Sequence, residues 1–278
     1  MTRNEKLEKL RETIDGYGQM IVALSGGVDS VFLLLFARSM WGDDRVAAMT
    51  ASAPNFAPDE ISYASELCEM LGISHKTVRA DFLLDIMKDN PPDRCYGCKK
   101  ALFSVLKERA DMVGSVLADG TNLDDMSDYR PGYRAVQELG VASPLMEAGL
   151  TKADIRAALR DLIESDPAIK AAAAFPIWEK PAFACLASRI PYGESITAEK
   201  LEAVYRAEAF LKEQGFSQVR VRHHGDVARI EVLPDDREKF FDEDFVDTVN
   251  EHIKACGFRF AALDLGGYRM GNMNEQKL

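Results

Sequence analysis

Two groups of residues in this chain have types and spacing suited to chemistry. The first is Ser25-Gly26-Gly27-Val28-Asp29-Ser30, set between the apolar run 20–24 and the apolar stretch 31–35. This reads as a glycine-rich turn joining a strand to a helix. The glycines let backbone approach a ligand, the Ser25 and Ser30 hydroxyls can donate hydrogen bonds, and the positive helix N-terminus favours an anion. Asp29 beside a phosphate makes sense with a divalent cation between them, so it is assigned to Mg2+. No Gly-Lys-Ser/Thr follows, so transfer of a terminal phosphoryl group is not the expected chemistry. The second group is a set of thiols: Cys95-Tyr96-Gly97-Cys98 ahead of an expected helix, and Cys185 in a segment fixed by Pro181 and Pro191. Arg94 and Lys99 flank the pair and favour thiolates. Zinc, a redox pair and a 4Fe-4S cluster held by three cysteines all remain open on these residues alone.

The elements that must position these groups follow from periodicity. An amphipathic helix at 4–17 leads into the first strand and loop. Strands at 45–50, 74–78 and 115–118 alternate with helices at 59–71 and 99–111, which predicts a parallel sheet covered by helices on both sides. Ligands of such sheets bind beyond the carboxyl ends of the strands. Residues 25–30, 51–54 and 119–122 are therefore expected to converge on a nucleotide, with Gly120 and Thr121 among its contacts. Thr151 with Asp154 forms a capping-box pattern opening a helix at 151–163, and the alanine-rich stretch 168–174 continues as a helix tail or linker. Beyond it come a long helix at 199–214, two strands, 218–222 and 228–233, around Gly225-Asp226, a helix at 242–254 and a strand at 259–265.

Composition narrows the function classes. The 278 residues suffice for one large domain and a smaller one, and 47% hydrophobic with 28% charged residues matches ordinary globular proteins. No segment has the apolar length of a membrane span and the N-terminus lacks an apolar leader core, so the expected location is cytoplasmic. Forty-five acidic against 34 basic residues give a net charge of -11, which argues against nucleic acid or a membrane surface as partner. Five cysteines, an odd number, do not suggest a disulfide framework. Cys68 falls in a helical apolar pattern and Cys256 near a helix end, where packing explains them.

The loop resembles the signature of PP-loop ATP pyrophosphatases, which split ATP between the alpha and beta phosphates. Further segments, Gly120 to Asp125, Asp128 to Gly132, Ser143 to Leu145, Ala184 to Gly193, Val221 to Asp226 and Asp264 to Arg269, are similar to those of the LarE family, so the resemblance covers nearly the whole chain. It implies an α/β fold: a parallel-sheet PP-loop ATP pyrophosphatase domain (adenine nucleotide alpha hydrolase-like) over residues 1–189, and a smaller α+β C-terminal domain over 190–278 for substrate binding and oligomerisation. It also implies an ATP-dependent sulfur transferase acting in nickel-pincer nucleotide cofactor assembly for lactate racemase. The implied partner is a small mononucleotide, pyridinium-3,5-biscarboxylic acid mononucleotide, whose carboxylates become thiocarboxylates.

One branch of that family sacrifices the sulfur of a single cysteine, matching Cys185, and another carries three cysteines and a 4Fe-4S cluster. The addition of Cys95 and Cys98 favours the cluster branch. The site expected on this basis has ATP at Ser25, Gly26, Gly27, Asp29, Ser30, Gly120 and Thr121, the cluster on Cys95, Cys98 and Cys185, and catalysis by Cys185, Arg189 and Asp29. Arg189 is expected to hold the adenylate phosphate. Arg220, Arg222 and Arg269 are expected to bind the substrate phosphate, the first two sharing one strand face. The resemblance suggests a homo-oligomer, a hexamer. An RNA thiolation enzyme would need a basic surface, an amide-forming synthetase would not need the cysteines, and a nucleotide sensor with an iron-sulfur cluster would release no pyrophosphate.

Overall fold

The structure, a computed structural model, describes residues 1–42, 44–126, 131–173, 176–181 and 184–269. The sequence expectations at Asp128, Tyr129 and Arg130, at Ala174 and at Ala182 and Phe183 lie outside them. In chain order the elements are α1 (Arg3–Asp15), β1 (Met20–Ala23), α2 (Val28–Trp41), β2 (Val46–Ser52), α3 (Pro58–Met70), β3 (Ser74–Arg79), α4 (Leu83–Met87), α5 (Arg94–Met112), β4 (Val116–Ala118), α6 (Pro131–Glu138), α7 (Pro144–Glu147), α8 (Lys152–Ser165), α9 (Pro167–Ala172), α10 (Ala198–Glu213), β5 (Val219–His224), β6 (Val227–Val232), α11 (Glu243–Ala255) and β7 (Phe260–Leu263). They form two compact units, Met1–Leu83 with Asp93–Ala182, and Leu84–Pro92 with Phe183–Leu278.

The first unit is built on a parallel sheet in the order β3-β2-β1-β4, as the alternating pattern predicts. From β1 to β2 to β3 the chain moves one way across the sheet, then returns to place β4 on the far side of β1. The strand order therefore reverses between β1 and β4, and the loops leaving those two strands flank the resulting crevice. Helix α2 runs from the first of these loops into the core. Its residues Val31, Phe32, Leu33, Leu34 and Leu35 are each at most 1% exposed, so it is apolar on every side and packs on β1, β2 and α8. Burying a helix on all faces fixes its N-terminus, and with it the loop, against the sheet.

Local signals elsewhere act as their chemistry dictates. Thr151 caps α8 by accepting from Asp154 N while the Asp154 carboxylate accepts from Thr151 N at 3.1 Å. The alanine-rich stretch forms α9, started by the Asp166 side chain accepting from Ala168 N and Ile169 N. Two boundaries near the candidate site residues differ from the sequence reading. Ala51 and Ser52 belong to β2 rather than to the loop beyond it. Helix α5 begins at Arg94, so Cys95 and Cys98 occupy its first turn instead of preceding it. Nothing in Arg94-Cys95-Tyr96-Gly97-Cys98 forbids helical backbone, and the Pro91-Pro92 pair sets the break earlier.

The second unit contains a mixed sheet in the order β5-β6-β7, with β5 and β6 antiparallel and β6 and β7 parallel. The hairpin turns at Gly225-Asp226, where Gly225 has φ +57°, the left-handed backbone that tight two-residue turns demand. Helix α10 packs on β5 and α11 on β7. Leu84–Pro92 joins this unit through buried Asn90, whose side-chain amide donates to the carbonyls of Ile190 and Pro191 at 3.2 and 2.6 Å.

Candidate functional site

The loop after β1 is braced from within. Ser30 is buried, and its hydroxyl donates to Gly27 O at 3.1 Å and accepts from Ser25 N at 3.2 Å. The Ser25 hydroxyl lies 3.1 Å from that of Ser30 and faces solvent, so of the two serines expected to meet phosphate, Ser25 is the one presented and Ser30 shapes the turn. Gly26 is required twice over. Its φ of +76° is left-handed, and a Cβ there would stand 2.8 Å from both Glu60 O and Glu60 Oε2.

The loop after β4 meets this turn as the switch point requires. A Cβ on Gly120 would lie 2.8 Å from Ser30 N, so Gly120 is the point of closest approach between the two loops. Thr121 and Ser143 donate their hydroxyls to buried Asp119 at 2.5 and 2.7 Å, so Thr121 holds the loop together. Asn122, fully buried, lies in the segment expected to converge on the nucleotide and is its hub, a role that the sequence does not reveal. Its amide donates to Asp29 Oδ2 at 3.1 Å, while its side-chain oxygen accepts from Asp124 N and Asp125 N. Burial, then the nearby Asp125 carboxylate, pushes the Asp29 carboxyl up to about 6 against opposing help from Lys152, Asn122 and Arg156. A carboxyl whose proton affinity is raised by a neighbouring carboxylate is also one whose anion a cation would stabilise. Among the described residues no group of three His, Cys, Asp or Glu side chains could hold a metal ion by itself. Magnesium, however, is often held by one or two carboxylates plus phosphate oxygens, and Asp29 with Asp125 fits that pattern. The loop after β2 contributes Asn55, 1% exposed, whose side-chain amide has no hydrogen-bond partner among the described residues.

The thiols are divided between the units. Cys95 is exposed and Cys98 half-buried, three residues apart on α5 and hence on one helix face. Cys68 and Cys256 are buried, and burial pushes the Cys68 thiol up to about 12, in keeping with packing roles. In the second unit, half-buried Cys185 heads the helical turn Leu186–Arg189. Arg189 corrects a sequence expectation. Its guanidinium is 0% exposed, doubly bonded to the Glu208 carboxylate at 2.8 Å each, and donates to Ala184 O, Cys185 O and Ser188 Oγ at 2.7, 3.2 and 2.9 Å. Those commitments tie it to the protein and leave it poorly placed to grip a phosphate; it is the brace under the Cys185 turn.

Arg220 and Arg222 share one face of β5, as alternation requires, and both are buried. Arg222 donates to Glu231 Oε2 at 2.8 Å and Ser188 O at 3.1 Å; Arg220 donates to Val219 O and lies 5.3 Å from the Tyr268 ring. Burial, then the positive charge of Arg189, lowers the proton affinity of Arg220. Arg189 pairs with the buried carboxylate of Glu208 and Arg222 with that of Glu231. Arg269 is exposed. Burial lowers the proton affinity of both His223 and His224.

A parallel sheet with a serine- and glycine-rich loop at its switch point, pinned by the neighbouring loop and carrying a cation-ready carboxylate, defines an ATP-using enzyme of the PP-loop class. A family model described as NAD synthase matches residues 4–113. The pyridinium-3,5-bisthiocarboxylic acid mononucleotide synthase of Lactiplantibacillus plantarum is 39% identical over 92% of this chain and 89% of its own length. An uncharacterized protein of Synechocystis is 37% identical over 97% of each chain. The NH(3)-dependent NAD(+) synthetase of Methanoregula boonei is 36% identical over 26% of this chain and 29% of its own, a match limited to one part. The chain belongs to the LarE family of ATP-dependent sulfur transferases. Among the described residues no helix is long and apolar enough to cross a membrane.

Proposed function

We propose that this protein adenylates the carboxylates of pyridinium-3,5-biscarboxylic acid mononucleotide and converts them to thiocarboxylates for the nickel-pincer nucleotide cofactor. The observation that carries this reading is the 39% identity to a synthase of that product over nine-tenths of the chain. A carboxylate is a poor acyl donor because oxide would have to leave, and adenylation replaces oxide with AMP. A substrate carboxylate oxygen attacks the alpha phosphorus, and the bond to the bridging oxygen breaks as pyrophosphate departs. Sulfur then adds to the acyl carbon and AMP leaves with the bonding pair. The Ser25 hydroxyl, the Gly27 N–H and the α2 N-terminus stabilise the departing pyrophosphate. Asp29, supported by Asp125, would hold Mg2+, whose charge would offset that on the leaving group.

In the second unit Arg189 fixes the turn that presents Cys185. Arg220 and Arg222, with Arg269, receive the substrate phosphate. This assigns substrate binding to the C-terminal domain. Cys95, Cys98 and Cys185, each reachable by solvent, supply the thiolate chemistry of a 4Fe-4S cluster, which when bound would deliver the sulfur. The test is anaerobic incubation with ATP, Mg2+ and the dicarboxylate nucleotide, following pyrophosphate and the mass gain of sulfur for oxygen. Several turnovers per chain, lost together with iron in Cys95→Ala, are expected. A single turnover leaving Cys185 short of its sulfur would replace the cluster with a sacrificial cysteine, and intact ATP would sink the whole reading.

A further inference from the structure

Residues 176–181 contain a lysine that no part of the preceding reading uses. The Lys180 ammonium donates to Gly26 O at 2.9 Å and to the Glu60 carboxylate. It also lies 4.9 Å from the Tyr63 ring centroid, a cation–π distance. The side chains of Lys180 and Glu60 are only 15% and 13% exposed. Lys180 is anchored at its backbone as well, because Arg156 of α8 donates to the carbonyls of Trp178 and Lys180. Three elements of the first unit, α3, α8 and the turn Ile177–Glu179, thus hold one ammonium against one carbonyl of the phosphate loop.

The choice of carbonyl matters. The Gly26–Gly27 peptide is trans, so its C=O and N–H point in opposite directions. With Gly26 O held by Lys180, the Gly27 N–H faces away, toward Ser25 Oγ at 3.4 Å, a contact long enough to yield to a phosphate oxygen. Glycines on both sides leave this peptide plane the least restrained in the loop. Rotated the other way, it would turn a carbonyl oxygen toward the anion. Glu60, whose carboxylate lies against Gly26, would add a second repulsion unless neutralised.

We propose that Lys180, paired with Glu60, is a positioning residue for ATP: it orients the Gly26–Gly27 peptide so that its N–H meets the pyrophosphate moiety. This rests on the reading of the loop as an ATP site. The role is distinct from simple neutralisation of Glu60, and a double substitution separates the two. In Lys180→Met the affinity for ATP and for inorganic pyrophosphate, measured calorimetrically with Mg2+, falls roughly ten- to hundredfold, the worth of a charge-assisted hydrogen bond. In Lys180→Met/Glu60→Gln the unpaired buried carboxylate is gone, so thermal stability returns while affinity stays low. Lys180→Gln/Glu60→Gln, which keeps a neutral donor for Gly26 O, recovers part of the affinity and serves as the comparison if Lys180→Met does not fold. Wild-type affinity in Lys180→Met/Glu60→Gln, or equal affinity in the two double variants, overturns the proposal. Failure of the wild-type protein to bind ATP or pyrophosphate would instead overturn the ATP site on which it rests.

Discussion

Gly120→Ala is the sharpest probe of the contact between the two loops at the switch point. The added Cβ would meet Ser30 N at 2.8 Å, Ser30 Cα at 3.1 Å and the Asp29 carbonyl carbon at 3.2 Å. All three are backbone atoms of the first turn of α2, so no rotamer change relieves them, and α2 cannot retreat because its apolar residues are buried on every side. Restoring ordinary contact requires the loops to part by roughly half an ångström, and overpacking of this kind costs about 1–3 kcal/mol. Gly120 does not have the left-handed φ seen at Gly26, so backbone strain contributes nothing and the effect is steric. The movement also stretches the bond from Asn122 to Asp29, now 3.1 Å, on the cation side of the site. Urea unfolding should therefore show a loss of about 1–3 kcal/mol, and the affinity for Mg2+-ATP should fall with it. Gly140→Ala is the control: Gly140 has φ +62° with open space around the Cβ position, so it incurs strain alone and leaves nucleotide affinity intact. A Gly120→Ala protein with wild-type stability and wild-type ATP affinity would refute the steric reasoning.

Other perturbations test separate parts of the structure. Asp29 titrates near 6, above its unfolded value, so its burial weakens the fold as pH rises through that range; Asp29→Asn should be more stable than wild type at pH 7 without nucleotide, and the advantage should vanish toward pH 4. A pH-independent difference in thermal melts would contradict this. Glu208→Gln breaks a buried, doubly hydrogen-bonded pair and should cost about 3–5 kcal/mol by urea titration, whereas a loss below about 1 kcal/mol would show the pair to be replaceable. Burial opposes ionisation of Glu208, but the Arg189 charge and hydrogen bonds outweigh it and hold its carboxyl below the usual range, so its contribution is present at neutral pH and lost as acid protonates it. Thr151→Ala removes the cap of α8 and should lower stability by about 1 kcal/mol, with Thr151→Ser recovering most of it in the same titration.

Much of the fold was legible because its signals are local. The apolar run before Ser25 and the unbroken apolar stretch after it specify a buried strand and a buried helix, the Thr151-to-Asp154 spacing specifies a cap, and Gly225-Asp226 between alternating runs specifies a hairpin. The first turn of α5 was less legible, since a polar, cysteine-containing stretch lacks the periodicity that marks a helix face. Helices α6 and α7 escaped notice for want of length. At the site the failures had a different cause. Arg189 beside a cysteine looks like an anion contact in sequence, and its burial against Glu208 depends on α10 packing over β5.

The sequence by itself determined the chemical inventory: a loop able to cradle phosphate, a carboxylate for its cation, three thiols and several arginines. Residue types and short spacings suffice for that, because turns, caps and strand faces are set by neighbours a few positions away. Only the tertiary structure decided which groups act together. Asn122 reaches Asp29 across 93 positions and Lys180 reaches Gly26 across 154, and no periodicity relates them. Those meetings follow from strand order and from the burial of α2, which bring loops distant in sequence to one end of one sheet.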